Sequence, residues 1–160
     1  MNLKDTIDFH IKGTWHTLTK MYNRLAAQHD TSQTIAYILV NIDKEGTPAT
    51  RVAQRLGMEP TSLSRVLKKM EDQKLIFKKV DDNDKRIMKI FLTDCGIEKR
   101  KTVKKIVIDF NEKLLKKVNK SDLKTFYKVL KTINELAYEE NPANSKSSLP
   151  AIKENKTINI

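Results

Sequence analysis

The spacing of apolar residues predicts a long helix at the start of the chain and a shorter one after it. Over residues 3–28, large apolar side chains recur every three or four positions, which is typical of one buried helical stripe. That stripe consists of Leu3, Ile7, Ile11, Trp15, Leu18, Tyr22 and Leu25. Thr31-Ser32 then offers a cap for a second helix, and Glu45-Gly46 is predicted to end it.

The next residues predict two short helices joined by a tight turn. Thr47 is expected to cap the first helix, Pro48 to begin it and Gly57 to end it. The second is predicted over residues 60–72, with an apolar stripe of Leu63, Val66, Leu67 and Met70. Its other face carries Thr61, Ser62, Ser64, Arg65, Lys68 and Lys69. This arrangement is typical of a helix-turn-helix that presents a recognition helix to the DNA major groove.

Two β-prone runs follow the second short helix. Residues 75–80 and 87–92 are separated by the polar stretch DDNDKR, which predicts a hairpin with a charged tip. A hairpin directly after a recognition helix is a wing. Its Arg86 lies where a cation can enter the minor groove beside the helix.

The rest of the chain predicts two more helices and a polar tail. One helix runs from Thr93 to about Val118, and a final helix, capped by Ser121, ends near Tyr138. These helices and the first one carry more apolar surface than a small DNA reader can cover. We therefore expect a twofold homodimer, with a monomeric helical bundle as the alternative. Residues 141–160 are rich in Asn, Ser, Lys and Pro and are expected to be mobile.

Charge supports a polyanionic partner. The formal net charge is +11, and residues 49–92 hold 11 Lys/Arg against 6 Asp/Glu, while residues 93–120 hold 9 against 4. Basic charge alone suits RNA or a membrane surface equally well. The longest apolar run has only six residues (35–40), and no signal-peptide pattern precedes it. We expect a cytoplasmic protein with no membrane partner, for which double-stranded DNA is the favoured ligand.

Three motifs resemble those of the MarR (multiple antibiotic resistance regulator) family of winged helix-turn-helix transcription factors. The core VAQRLGMEPTSLSRVLKKME has Ala53, Leu56, Ser64, Arg65 and Glu71 at matching positions. Asp84-x-Arg86 resembles the wing signature, and Leu92-Thr93-x-x-Gly96 resembles the motif that joins the wing to the next helix. Glu59 departs from the short polar cap usual there, and Lys74 replaces a glycine. The similarity extends from the helix before Asp30 to the last helix near Tyr138.

The resemblance implies a fold, a partner and a set of contacts. The fold is mainly α with a small β-hairpin wing, in a single unit over residues 1–140. The winged helix-turn-helix occupies about residues 31–92, and the flanking dimerisation helices occupy about 3–28 and 94–139. By resemblance Arg86 contacts DNA and Asp84 orients it. The expected DNA contacts are Thr61, Ser62, Ser64, Arg65, Lys68, Lys69, Asp84, Lys85 and Arg86. Among these, Arg65 is the favoured reader of a base edge, since its fork can bond guanine bidentately.

The resemblance also implies a homodimeric repressor that binds an inverted repeat and is released by a small aromatic effector. The effector would lie between the dimer helices and the winged unit, on elements that carry Trp15, His16, Met21 and Tyr37. Such side chains on apolar stripes are more often plain core. Lys99, Arg100 and Lys101 have two alternative interpretations: they contact DNA phosphates, or they belong to an ordinary solvent-exposed helix face.

Other functions remain as alternatives. A winged helix used for protein contact, or a redox-responsive regulator acting through the lone Cys95, would fit the same elements. An enzyme is disfavoured, because the chain has no Gly-rich nucleotide loop and no nucleophile grouped with a base. His10, His16 and His29 lack a cluster with Cys or carboxylates, so we expect neither a metal site nor a cofactor.

Overall fold

The computed structural model describes residues 2–140 as a helical protein with one small sheet. After a 3-10 turn (Leu3–Asp5), the helices are α1 (Ile7–Ala27), α2 (Gln33–Asn41), α3 (Ala49–Leu56), α4 (Pro60–Asp72), α5 (Asp94–Leu115) and α6 (Lys120–Glu139). The strands are β1 (Thr47–Pro48), β2 (Ile76–Val80) and β3 (Met88–Leu92). The predicted fold class, mainly α with a β-hairpin wing, is confirmed. The tail predicted for residues 141–160 lies outside the described residues.

Helix α2 begins where the sequence predicts and ends earlier. The Ser32 hydroxyl accepts a hydrogen bond from the backbone N–H of Ile35 at 3.3 Å, so Ser32 caps the helix. The helix ends at Asn41 instead of at Glu45-Gly46, because Ile42 has an extended backbone and a side chain buried in the core.

Helices α3 and α4 form the predicted helix-turn-helix. Gly57 is left-handed, with φ of 58°, and ends α3. The N–H of Met58 donates to the carbonyl of Ala53 at 3.0 Å, and the N–H of Gly57 to that of Gln54 at 3.3 Å, as in a Schellman motif. Pro60 then begins α4, where a missing N–H costs nothing. The buried residues of α4 are Leu63, Leu67 and Met70.

The prediction that Thr47 caps α3 is wrong. Thr47 lies in β1, and its buried hydroxyl accepts from the N–H of Asp43 at 2.8 Å and donates to the Asp43 carboxylate at 3.3 Å. Pro48 is likewise not the first helical residue; it precedes Ala49, which begins α3. The hydroxyl therefore closes the turn before β1. A strand of two residues is too short to show an alternating apolar–polar pattern, so the sequence did not reveal it.

The three strands form an antiparallel sheet in the order β1-β3-β2. In the hairpin, Phe77 pairs with Phe91 and Val80 with Met88, while β1 joins the far edge of β3. Both predicted wing strands are confirmed, and each begins one residue later than predicted. The sheet rests on the helix-turn-helix through a continuous core of buried residues: Ile35, Ile38, Leu39, Ile42, Val52, Ala53, Leu63, Leu67, Met70, Leu75, Ile76 and Ile90.

The motif Leu92-Thr93-x-x-Gly96 links β3 to α5 and contacts the residues that follow α4. Lys74 is left-handed, with φ of 56°, which costs about 1 kcal/mol relative to glycine. The Thr93 hydroxyl donates to the carbonyl of Lys74 at 2.5 Å and accepts from the N–H of Gly96 at 3.0 Å. A side chain on Gly96 would collide with the carbonyl oxygen of Leu75. Thr93 therefore caps α5 and holds it against the C-terminal end of α4.

The chain divides into two compact units, one ending at Ile108 and the other beginning at Asp109. In the second unit, α6 begins one residue after Asn119, whose side chain accepts from the N–H of Asp122 at 2.8 Å. Asn119, not Ser121, is therefore the cap, and the prediction for Ser121 is wrong. No residue of α6 is buried, although the helix carries Phe126, Tyr127, Val129 and Leu136.

Candidate nucleic-acid interface

The outward face of α4 carries hydroxyls and cations. Helical spacing puts Thr61, Arg65 and Lys68 opposite the buried stripe, with Ser64 on one flank and Ser62 and Lys69 on the other. All six side chains are exposed. The face is therefore free to meet a groove, with a guanidinium near its centre.

Glu59 places a carboxylate at the start of this helix. It occupies the cap position, and its side chain makes no capping hydrogen bond. The first-turn N–H groups of α4 thus receive no hydrogen bond from Glu59. Its carboxylate still interacts favourably with the positive end of the helix dipole. Phosphate contact at this end would have to accommodate that negative charge.

Two of the six side chains on α4 also have neighbours within the protein. The Ser64 hydroxyl donates to the carbonyl of Pro60 at 2.8 Å, so in this rotamer it offers an incoming group only its lone pairs. Lys69 lines a small cavity with Gln73 and with Asp30, Thr31 and Ser32 of the α1–α2 loop. Thr61, Ser62, Arg65 and Lys68 therefore form the part of the face that is least engaged elsewhere.

The wing turn is built around Asp81, which the sequence reasoning did not single out. This residue is 8% exposed, and its Oδ1 accepts from the N–H groups of Asn83 and Asp84, both at 2.9 Å. Its other oxygen pairs with Lys89 of β3. The Lys89 bond and the two N–H bonds lower the pKa of Asp81 from 3.8 to about 2. An Asp that directly ends a strand and begins a polar turn is the signal that identifies such a residue.

Asp84 holds Arg86 at the tip of the wing. The Arg86 guanidinium donates to both carboxylate oxygens of Asp84 at 3.1 Å, and the Arg86 backbone N–H adds a third bond at 3.0 Å. These bonds keep the pKa of Asp84 below its usual value. The Arg86 side chain remains 90% exposed, and Lys85 beside it is exposed as well. The guanidinium is thus oriented and still accessible from solvent.

Lys99, Arg100 and Lys101 are engaged within the protein. Lys99 donates to the carbonyl of His29 at 2.7 Å, and Arg100 donates to that of Ile42 at 2.9 Å. Lys101 pairs with Glu98 one turn away at 2.6 Å. The first two tie α5 to the ends of α1 and α2, a structural use of cations that sequence alone does not distinguish from phosphate binding.

An apolar cavity of about 370 Å³ lies between α1, α2 and α5 within the first unit. Its lining residues are Tyr22, Ala26, Gln33, Ala36, Tyr37, Val40, Val103, Lys104, Ile106, Val107 and Ile108. Of the four residues named from sequence as effector contacts, Tyr37 lines the cavity. Trp15 stacks on Tyr37 with ring centroids 6.1 Å apart, whereas His16 and Met21 are not among the lining residues.

Other chemistry is sparse in the described part of the chain. Residues 2–140 contain no group of three or more His, Cys, Asp or Glu side chains placed to hold a metal ion. Cys95 is exposed in the first turn of α5. Over the same residues, no helix is both long enough and apolar enough to cross a bilayer.

Comparison with known proteins gives a consistent result. A family model described as MarR family matches residues 29–87, which contain the helix-turn-helix and most of the wing. The transcriptional regulator TcaR of Staphylococcus aureus strain Newman is 29% identical over 140 residues, covering 83% of this chain and 91% of TcaR.

Solved structures share the fold at low sequence identity. The S. aureus MepR–DNA complex has a TM-score of 0.73 at 20% identity, covering 80% of this chain and 96% of MepR. CouR of Rhodococcus jostii RHA1, bound to p-coumaroyl-CoA, has a TM-score of 0.74 at 19% identity, covering 83% and 94%. TcaR, a relative by sequence, is an HTH-type transcriptional regulator. With its exposed α4 face and carboxylate-held wing arginine, the chain has a winged helix-turn-helix fold and is similar to the MarR family, whose model matches residues 29–87.

Proposed function

We propose that the protein is a homodimeric repressor that binds an inverted-repeat operator and is released by a small-molecule effector. The single observation that supports DNA binding is the presence of two exposed cationic elements. One is the α4 face around Arg65, and the other is Arg86, held at the wing tip by Asp84. A helix of this kind enters the major groove, and an exposed wing arginine reaches the minor groove.

Exposed apolar surface on the terminal helices supports a dimer. Large apolar side chains exposed on α1, α5 and α6 are Ile7, Phe9, Ile11, Trp15, Val107, Ile108, Leu114, Phe126, Tyr127, Val129 and Leu136. Large apolar side chains exposed in such number on a monomer indicate an interaction face. A second copy is the partner we propose, since a twofold dimer presents two recognition helices about one DNA turn apart, roughly 34 Å.

The cavity between α1, α2 and α5 supports release by an effector. Cavities of about 300–1,000 Å³ with mainly apolar walls suit small organic ligands, and this one has about 370 Å³. It is walled by α5, which Thr93 and Gly96 hold against the end of the recognition helix. CouR, which shares the fold, was solved with p-coumaroyl-CoA. A ligand between these helices would change the distance between the two recognition helices of the dimer. Because the protein must reach chromosomal DNA, we propose that it acts in the cytoplasm.

The test is fluorescence anisotropy with labelled DNA from upstream of the protein's own gene, in the presence of excess random DNA. We expect saturable binding that resists the competitor and weakens about tenfold or more in Arg86→Ala. Asp84→Asn is the matched variant, because it keeps the size of the side chain and weakens the hold on Arg86. It should fall between wild type and Arg86→Ala. Binding that is equally tight to random DNA and vanishes with salt would leave only non-specific charge, and the protein-interaction alternative would replace the proposal.

A further inference from the structure

Glu59, the residue before α4, has a carboxylate that the fold does not use. It occupies the cap position of the helix, yet its side chain accepts no hydrogen bond from the first-turn N–H groups. The side chain is exposed, and it forms no hydrogen bond or ion pair within residues 2–140. A shorter Ser, Thr, Asp or Asn would cap the helix better, and Asp would supply the same charge. Helix stability therefore favours another residue at this position.

The backbone of Glu59 places the free carboxylate at the N-terminal end of α4. Its carbonyl accepts the first hydrogen bond of the helix, from the N–H of Leu63 at 3.0 Å, which fixes the residue to the first turn. The exposed Thr61 and Ser62 follow on that turn. In a helix-turn-helix, the N-terminal residues of the recognition helix are those that contact base edges. The carboxylate is thus fixed at the end of α4 that comes nearest to the bases.

A carboxylate in a DNA groove is unfavourable unless it meets a hydrogen-bond donor, because the phosphates around it are negatively charged. In the major groove, guanine and thymine present acceptor atoms, which repel a carboxylate. Adenine presents its N6 amino group directly beside the N7 acceptor. Cytosine presents its N4 amino group with no acceptor beside it. Cytosine is therefore the base that suits the Glu59 carboxylate best.

We propose that the Glu59 carboxylate accepts a hydrogen bond from the N4 amino group of a cytosine in each operator half-site, and so selects a C·G base pair at one position. This inference rests on the proposed function and specifies one part of the sequence that α4 recognises. Any other base at that position loses the bond, and guanine or thymine also places an acceptor against the carboxylate. Glu59 thus weakens binding to most DNA and increases the preference for the operator.

The test compares the sequences that full-length wild type, Glu59→Ala and Glu59→Gln enrich from a pool of random duplexes. Wild type should enrich an inverted repeat with cytosine at one fixed position of each half-site. Alanine removes the acceptor, so Glu59→Ala should lose the preference at that position and keep the rest of the motif. Glutamine has the same length and can bond N6 and N7 of adenine, so Glu59→Gln should shift the preference from cytosine to adenine.

Asp72→Asn is the matched control, since Asp72 is an exposed carboxylate at the opposite end of α4. Each of the three variants removes one negative charge and should bind random DNA more tightly than wild type does. Asp72→Asn should nevertheless enrich the wild-type motif unchanged. If Asp72→Asn and Glu59→Gln changed the motif in the same way, the effect of Glu59 would be general electrostatics, and its role as a base reader would be overturned.

A chemical change in the DNA tests the same contact in the unaltered protein. Methylation of the selected cytosine at N4 replaces the N–H that faces the major groove and keeps the N–H that pairs with guanine. Measured by anisotropy, this change should weaken wild-type binding about tenfold and leave the binding of Glu59→Ala unchanged. Equal losses in the two proteins would show that the carboxylate does not contact that amino group, and would overturn the inference.

The same enrichment separates this inference from the regulator proposal. If wild type enriches no sequence, the sequence-specific regulator is overturned, and the inference fails with it. If wild type and Glu59→Ala enrich one motif with the same base frequencies at every position, the regulator proposal stands and the Glu59 inference alone is overturned.

Discussion

Two aspartates of the wing, three residues apart, have different tasks. Asp81 is buried and accepts N–H groups of the turn, while Asp84 is partly exposed and holds the Arg86 guanidinium. Each has a lowered pKa because each accepts several hydrogen bonds as a carboxylate. Asp81 stabilises the turn, and Asp84 orients the Arg86 guanidinium at its tip.

Arg65 and Lys68 lie on the same exposed face of α4 and should differ in what they contribute. Arg65→Ala is expected to cost about 1–3 kcal/mol on the operator and to relax preference at one base pair, because the guanidinium fork can bond guanine bidentately. Lys68→Ala should weaken operator and random DNA alike and reduce the salt slope by about one.

Anisotropy titrations of both variants against the operator, its single-base variants and random DNA, across a salt series, check this contrast. If Arg65→Ala lost affinity equally for all sequences, Arg65 would be a phosphate contact and not a base reader.

The junction between α4 and α5 depends on one small residue. A Cβ at Gly96 meets the backbone carbonyl of Leu75, which cannot rotate away as a side chain would. Gly96→Ala would gain about 1 kcal/mol in helix propensity, yet the clash should dominate, for a net loss of about 1–3 kcal/mol in the free energy of unfolding.

Urea unfolding followed by circular dichroism measures the change. Cys95→Ala, at the neighbouring exposed position of the same turn, should stay within about 0.5 kcal/mol of wild type. A Gly96→Ala protein as stable as Cys95→Ala would show that α5 does not press on the end of α4.

The wing turn should loosen in acid because of Asp81. Its folded-state pKa of about 2 lies below the ordinary 3.8, so its stabilising contribution is present above 3.8 and is lost as pH falls through about 2. The difference in unfolding free energy between wild type and Asp81→Asn should therefore be constant near neutral pH and shrink below about pH 4.

Unfolding of both proteins at a series of pH values from about 6 downwards measures this difference. A gap that stayed constant down to about pH 2 would mean that the Asp81 carboxylate is not what holds the turn.

The elements most clearly visible in the sequence were those with long periods or strong local signals. The stripe of α4, the end of α3 at Gly57 and the two wing strands were predicted correctly, since each depends on residues close together in the chain. Thr47 and Ser121 were misassigned as caps because any hydroxyl before a helix resembles one. The buried role of Thr47 depends on its pairing with Ile90 of β3, far away in sequence.

The candidate site was predictable in part. The exposed face of α4 follows from helical spacing, and the pairing of Asp84 with Arg86 was implied by the resemblance of Asp84-x-Arg86 to a family wing signature. The turn role of Asp81 has a local signal, an Asp between a strand and a polar turn, whereas the cavity position of Gln33 depends on how the helices pack and no local pattern encodes it.

Exposed apolar surface is distributed unevenly between the winged helix-turn-helix and the terminal helices. The helix-turn-helix and sheet share one core, whereas the helices before and after them expose large apolar side chains such as Phe9, Ile108 and Leu136. Helix α6 has no buried residue at all. A second copy of the chain would cover such faces and would set the distance between two recognition helices.

Changing the spacing of the operator tests that arrangement most directly. About five base pairs, half a helical turn, are inserted between the half-sites of the inverted repeat proposed as the operator, and affinity is measured by anisotropy. A twofold dimer should lose affinity to the level of a single half-site and recover part of it when the insertion is about ten base pairs. Equal affinity for the original and the five-base-pair operator would contradict a dimeric reader and favour independent monomers.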